Sequence, residues 1–265
     1  MDFFELAKIE DEYEQIAGTY EIFNEDVRLN RSQAARIEFL TTVHFIEQYL
    51  RSGDRIADIG AGAGEYSLYF AKNGYDVSAV ELAERNVEAF RKKLTAEDCV
   101  ELRQGNAVDL SFWPDAAFDI VLLFGPLYHL HREEDRQRCI AEARRVCKPD
   151  GTLFFAFIAH DMVFFTELAN NPNYFRTGDY DHDTLRLHDF PFVFHTVDEC
   201  RRILKDGGVR IEREIASDGL SELMEDRINS LDAESYAQYL RYHLHTCEKP
   251  EMLGHSNHLL FIGKQ

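Results

Sequence analysis

Three glycines, Gly60, Gly62 and Gly64, alternate where the apolar run RIADIG (55–60) ends, and EYSLYFAKNG (65–74), with helical apolar spacing, begins directly after them. A strand that enters a glycine turn and leaves as a helix presents backbone N–H groups and a side-chain-free surface to a ligand at the carboxyl end of a sheet. Dinucleotides and S-adenosylmethionine both bind at such turns. The dinucleotide fingerprint G-x-G-x-x-G wants a third glycine where this chain has Glu65. A carboxylate at that helix start repels a pyrophosphate, whereas a ligand centred on a sulfonium cation suffers no such penalty. The spacing favours the sulfonium cofactor and disfavours a nicotinamide-dependent oxidoreductase. Glu81 falls about twenty positions after Gly60, at the end of the strand-forming YDVSAVEL (75–82), where a carboxylate can accept from both ribose hydroxyls. Its alternative is a surface acid closing a strand.

Such residues need a sheet to hold them. Strand-like RIADIG, helix-like EYSLYFAKNG and strand-like YDVSAVEL form one βαβ unit. The alternation continues through a helix at 83–94, strands at 100–104 and 118–124, a helix at 132–147 and a strand at 151–158. The expected fold is α/β, a Rossmann-like, doubly wound, mostly parallel seven-stranded sheet with helices on both faces and helical lid insertions. With no internal repeat or low-complexity linker, residues 1–265 read as a single domain. Residues 1–50 form an N-terminal helical cap and 51–158 the cofactor-binding core. Residues 159–195 and 217–255 are insertions, the first irregular, the second containing a long helix from about Ser221 to Cys247. A helix and strand within 196–216 and a last strand within 256–265 complete the sheet.

Composition narrows the partners. A chain of 265 residues, 45% hydrophobic, can build one large core, and no apolar run approaches the roughly 18 residues of a membrane span. The acidic start MDFFELAKIEDEYEQ is unlike a signal peptide, and five scattered cysteines cannot all pair within one chain. A soluble, unprocessed cytoplasmic protein, monomer or homodimer, is expected. A net charge of −19 offers no electrostatic track for nucleic acid and points to a small reactant.

At the level of motifs the sequence resembles the class I S-adenosylmethionine-dependent methyltransferases from about Ile56 onward. ADIGAGAG is similar to the family's first motif and AVEL to its second. GNAVDL (105–110) follows the third strand, FDIVLLFGPLYHL (118–130) carries the fourth, and ARRVCKPDGTLFF (143–155) turns into the fifth. GPLYHL, RLNRSQAARIEFL (28–40) and SNHLLFIGK (256–264) resemble a bacterial subgroup associated with small molecules. The resemblance implies that Asp58, Gly60, Ala61, Gly62 and Gly64 hold the methionine part of the cofactor. It implies Glu81, with Leu82 beside it, at the ribose, and Asn106 and Ala107 at the adenine. The family usually carries an acid at the position of Asn106; an Asn carbonyl can still accept from the adenine amino group, or the residue serves only the turn.

Methyl transfer is an in-line displacement, so placing an acceptor lone pair opposite the sulfonium and excluding water can supply most of the acceleration. Tyr128 and His129, after the fourth strand, are the candidate acceptor contacts, His129 as general base. Packing or capping is the competing role for both. Phe124 and Gly125 bring backbone close to the cofactor's amino group, and Tyr20 and Arg36, with Tyr13 and Arg28, could fold over it and meet its carboxylate, unless they are only an amphipathic helix's contacts. Close histidine pairs such as 243 and 245 diverge on a helix, and no metal is expected. A non-catalytic cofactor-binding regulator and an RNA methyltransferase are the alternatives, the latter opposed by the acidity.

Overall fold

The computed structural model describes residues 3–23 and 25–265, so residues 1, 2 and 24 of the expected cap lie outside the described residues. Its helices are α1 (Phe3–Leu6), α2 (Glu12–Ile22), α3 (Gln33–Glu47), α4 (Glu65–Lys72), α5 (Glu84–Lys93), α6 (Glu133–Val146), α7 (His160–Asn170), α8 (Tyr174–Thr177), α9 (Val197–Asp206), α10 (Glu225–Asn229), α11 (Ala233–Thr246) and α12 (Pro250–Leu253). The strands are β1 (Arg55–Ile59), β2 (Asp76–Glu81), β3 (Val100–Gln104), β4 (Phe118–Leu123), β5 (Cys147–Ala159), β6 (Tyr180–Asp181), β7 (Arg186–Leu187), β8 (Phe194–His195), β9 (Arg210–Ala216) and β10 (His258–Lys264).

Seven strands run in the order β3-β2-β1-β4-β5-β10-β9, the first five parallel and β10 antiparallel to both neighbours. The expectation of seven strands is corrected to eight: β8 pairs with the end of β5 through Ile158↔Phe194 and Ala159↔His195, beyond the last β4 partner. Two-residue pairing inside a loop leaves no periodicity in sequence to detect.

Side chains alternate across the strands, so each strand feeds two cores. Ala57, Ile59, Val121 and Leu123 join α6 and α9 residues such as Ile140, Ala143 and Ile203 on one face. Ile56, Ile120 and Leu122 join Phe39, Val43 and Ile46 of α3 and Phe70 of α4 on the other. This two-sided burial explains why the strands read as nearly unbroken apolar runs. The order reverses between β1 and β4, and that reversal opens a crevice at their carboxyl ends.

Both insertions differ from expectation. Residues 159–195 are not irregular: α7, α8 and the β6–β7 hairpin close around Phe164, Tyr174, Tyr180 and Leu187. The long helix of 221–247 is broken, because Asp232 caps a new helix by accepting from Ser235 N–H at 2.8 Å. α10 and α11 pack against α3.

Candidate active site

The turn leaving β1 is built only from glycine-compatible geometry. Gly60, Gly62 and Gly64 have φ of 80°, 54° and 84°. A Cβ on Gly60 would lie 2.6 Å from the Phe124 carbonyl oxygen, and one on Gly64 would lie 2.3 Å from the Phe90 ring. Gly62 instead faces a side chain, with Glu25 Cγ 3.1 Å from its added Cβ. Positive φ costs an L-residue about 1 kcal/mol, so packing and conformation select glycine together.

Two carboxylates end the neighbouring strands. Glu81 is buried and accepts from Gly62 N–H and Ala83 N–H, both at 2.8 Å, and from Asn86 at 3.3 Å. Burial raises its pKa against those hydrogen bonds. Asp58, 1% exposed, accepts from Ser67 Oγ at 2.6 Å through Oδ2, while its buried Oδ1 has no partner among the described residues. Burial pushes Asp58 up to about 6, with Ser67 pulling it down and Glu81 pushing it further up. A buried carboxylate oxygen with no donor is costly, and a ligand ammonium would satisfy it.

The crevice has two halves that meet at Tyr20, Gly60 and Gly125. One half is lined by Glu81, Leu82, Asn106, Ala107, Tyr13, Ile16 and Leu130. The other is lined by Asp58, Ala61, Gly62, Phe124, Tyr66, Glu25 and Arg28. Expected residues from five separate segments are thereby brought together. Asn106 keeps its place, but its Oδ1 accepts from Val108 N–H at 3.2 Å, so the carbonyl also serves the turn. Gly125, at φ 112°, leads into the 3₁₀ turn Pro126–Tyr128.

Three expectations need correction. Arg36 does not line the crevice: its guanidinium stacks 4.3 Å from the Phe39 ring on α3. Arg28 lines it instead, held by Glu25 at 2.9 Å and by Glu38 at 2.6 Å. His129 is 3% exposed, and burial, with a smaller push from His131, drives it down to about 3. The neutral imidazole is the form a general base needs, but so low a proton affinity gives it little driving force to take a proton from an acceptor. Its Nε2 bonds the Tyr20 hydroxyl at 2.7 Å, its Nδ1 has no partner among the described residues, and it lines the Glu81 half. Tyr128 sits at the opening toward the next cavity, its hydroxyl kept protonated by burial. Third, Glu65 is not an unpaired charge at the helix start, because Lys93 bonds it at 2.7 Å and Asn30 donates to it. The case against a dinucleotide then rests on the missing third glycine and less on repulsion.

Glu25, Tyr66, Ile16 and Leu130 had not been anticipated. Glu25 and Arg28 do show an i,i+3 opposite-charge spacing, but nothing in the sequence places the 3₁₀ turn Glu25–Asn30 over the glycines. A further cluster lies beside α3, where ligand atoms of Glu38, Asp218 and His258 fall within 4.8 Å of one another. Glu38 already accepts from Arg28 through both oxygens, and His258 Nδ1 bonds Asp218 at 2.7 Å. Burial opposes the His258 charge, but Glu38 and Asp218 outweigh it and raise His258 to about 9. In this arrangement the cluster is held together as an ion-pair network.

Crevice, glycine turn and strand-end carboxylates make a candidate nucleotide-type cofactor site on a doubly wound sheet. Residues 57–155 match the family model described as a methyltransferase domain. Over that segment the chain is similar to the S-adenosylmethionine-dependent methyltransferases. It is 36% identical over 108 residues to 27-O-demethylrifamycin SV methyltransferase of Amycolatopsis mediterranei, covering 39% of this chain and 38% of that one. It is 30% identical over 146 residues to demethylmenaquinone methyltransferase of Symbiobacterium thermophilum, covering 52% and 54%. The matches therefore span about half, or less, of these relatives' lengths. Among solved structures, geranyl diphosphate C-methyltransferase of Streptomyces coelicolor superposes with a TM-score of 0.63 at 14% identity over 96% of this chain and 97% of that one, which shows a shared fold.

Proposed function

We propose that the protein transfers the methyl group of S-adenosylmethionine to an O, N or S atom of a small-molecule acceptor. The observation that carries this reading is the pair Asp58 and Glu81 flanking the glycine turn, with the buried Asp58 Oδ1 left without a partner among the described residues. Asp58 would accept from the cofactor's ammonium, Arg28 would meet its carboxylate, and Glu81, fixed by Gly62 and Ala83, would accept from the ribose. Asn106 and Ala107 face the adenine position. When bound, the cofactor supplies the transferable, electrophilic methyl group.

The chain's own part is binding, orientation and water exclusion. α2 closes over the crevice through Tyr20 and through Glu12, which accepts from His131 N–H at 2.5 Å. Tyr128, at the opening, contacts the acceptor; His129 positions Tyr20. Glu25, a carboxylate at this opening, is paired with Arg28, which suits an acceptor that is nucleophilic without first losing a proton.

Calorimetric titration with S-adenosylmethionine, S-adenosylhomocysteine and NADH is the direct test. Micromolar binding of the first two and none of the third is expected. Binding of NADH alone would overturn the reading, and tight cofactor binding without turnover across an acceptor screen would favour a regulatory binder.

A further inference from the structure

A third cavity joins the Asp58 half of the crevice, sharing Tyr20, Glu25, Arg28 and Tyr128 with it. Its remaining walls are of two kinds: Phe23, Val27, Ile158 and Phe192 are apolar, while Arg31 and His258 are cationic. Phe23 and Phe192 contact each other with ring centroids 5.3 Å apart, yet Phe23 remains 37% and Val27 49% exposed. Apolar surface left open beside a reactive centre is surface that a ligand can cover.

Charge in this cavity runs opposite to the molecule. Against a chain total of −19, the ionised groups facing the cavity are Arg28, Arg31 and His258 and the single carboxylate of Glu25, with Tyr20 and Tyr128 neutral. Glu25 is itself paired with Arg28. The acids that balance the other cations, Glu38, Asp218 and Glu225, line the hollow behind them and not this cavity. Arg28, Arg31 and His258 line the hollow as well, so they form a wall shared by the two, with the carboxylates that fix and orient them on the hollow side.

We propose that this cavity binds the methyl acceptor, and that the acceptor has an apolar, ring-containing body and one anionic group that Arg31 and His258 meet. The assignment as acceptor site rests on the function proposed above; the binding preference rests only on the cavity. Arg28, shared with the crevice, is left for the cofactor.

The test uses 1-anilinonaphthalene-8-sulfonate, an aromatic anion, and N-phenyl-1-naphthylamine, its uncharged counterpart, titrated by fluorescence into the full chain saturated with S-adenosylhomocysteine. One saturable site for the anion is expected. Arg31→Glu should weaken the anion about tenfold and leave the uncharged probe and S-adenosylhomocysteine unchanged. Phe192→Ala should weaken both probes. Anion binding that ignores both substitutions, equal loss of both probes in Arg31→Glu, or no saturable site at all would overturn the preference. Failure of S-adenosylhomocysteine to bind would instead refute the cofactor reading, and the probe titrations without it would still decide the cavity's preference.

Discussion

Asp58 and Glu81 sit at adjacent strand ends, but their removal should act differently. Asp58 is held at about 6 by burial, so its ionised form costs the free protein stability at neutral pH. Asp58→Asn keeps an acceptor for Ser67 and removes the charge. It should raise the melting temperature of the free protein at pH 8 by about 2 °C while weakening S-adenosylmethionine at least tenfold. Thermal scans with and without cofactor check this, and a fall in melting temperature without ligand would show that the burial cost is not real. Glu81→Ala should lose on both counts, because Gly62 N–H and Ala83 N–H lose their acceptor along with the ribose. A destabilisation of about 1–3 kcal/mol by urea titration is expected, together with weaker cofactor binding. A loss of affinity with unchanged stability would mean that the turn does not depend on Glu81.

At the scale of elements, the β1–α4 turn is tied to α5 through Gly64 and Phe90. Gly64→Ala combines φ of 84° with a Cβ 2.3 Å from the Phe90 ring, and should cost about 2–4 kcal/mol. Phe90→Ala in the same chain should recover part of that loss, and a double-mutant cycle by urea unfolding measures the recovery; strictly additive losses would rule out the contact. This is also where sequence was most informative. The strands β1, β2, β4, β5 and β10 were legible because burial on both faces leaves unbroken apolar runs, and Gly60, Gly62, Gly64 and Glu81 were legible because a strand–turn–helix fixes their spacing. β8, the break before Asp232 and the hairpin within 159–195 were not, since two-residue strands and single caps carry no period. Arg28 and Arg36 were indistinguishable in sequence: choosing between them needs the 3₁₀ turn Glu25–Asn30, whose placement depends on contacts with Glu38, Glu65 and Lys93.

Across the whole molecule, several histidines set a pH window. His129, driven to about 3, and His195, driven to about 4, are both depressed chiefly by burial. The unfolded chain takes up protons on them below about 6.5 while the folded one does not, so stability falls as pH drops from there. His258 behaves in the opposite sense. Raised to about 9 by Glu38 and Asp218 against its burial, it contributes fully below about 6.5 and loses that contribution as pH rises through about 9. Asp58 partly offsets the acid limb, since its folded form binds a proton at about 6, before the unfolded chain does. Urea midpoints from pH 4 to 10 should therefore peak near pH 6–7, with an alkaline fall on the order of 2 kcal/mol from His258. His258→Gln should flatten the alkaline limb and leave the acid limb in place, and Asp218→Asn should shift the alkaline fall to lower pH by removing one of the two carboxylates. A wild-type midpoint that stays level between pH 6.5 and 9 would mean that the imidazolium network joining β10 to α3 does not form, and the neighbouring cavity would keep only Arg28 and Arg31 as its cations.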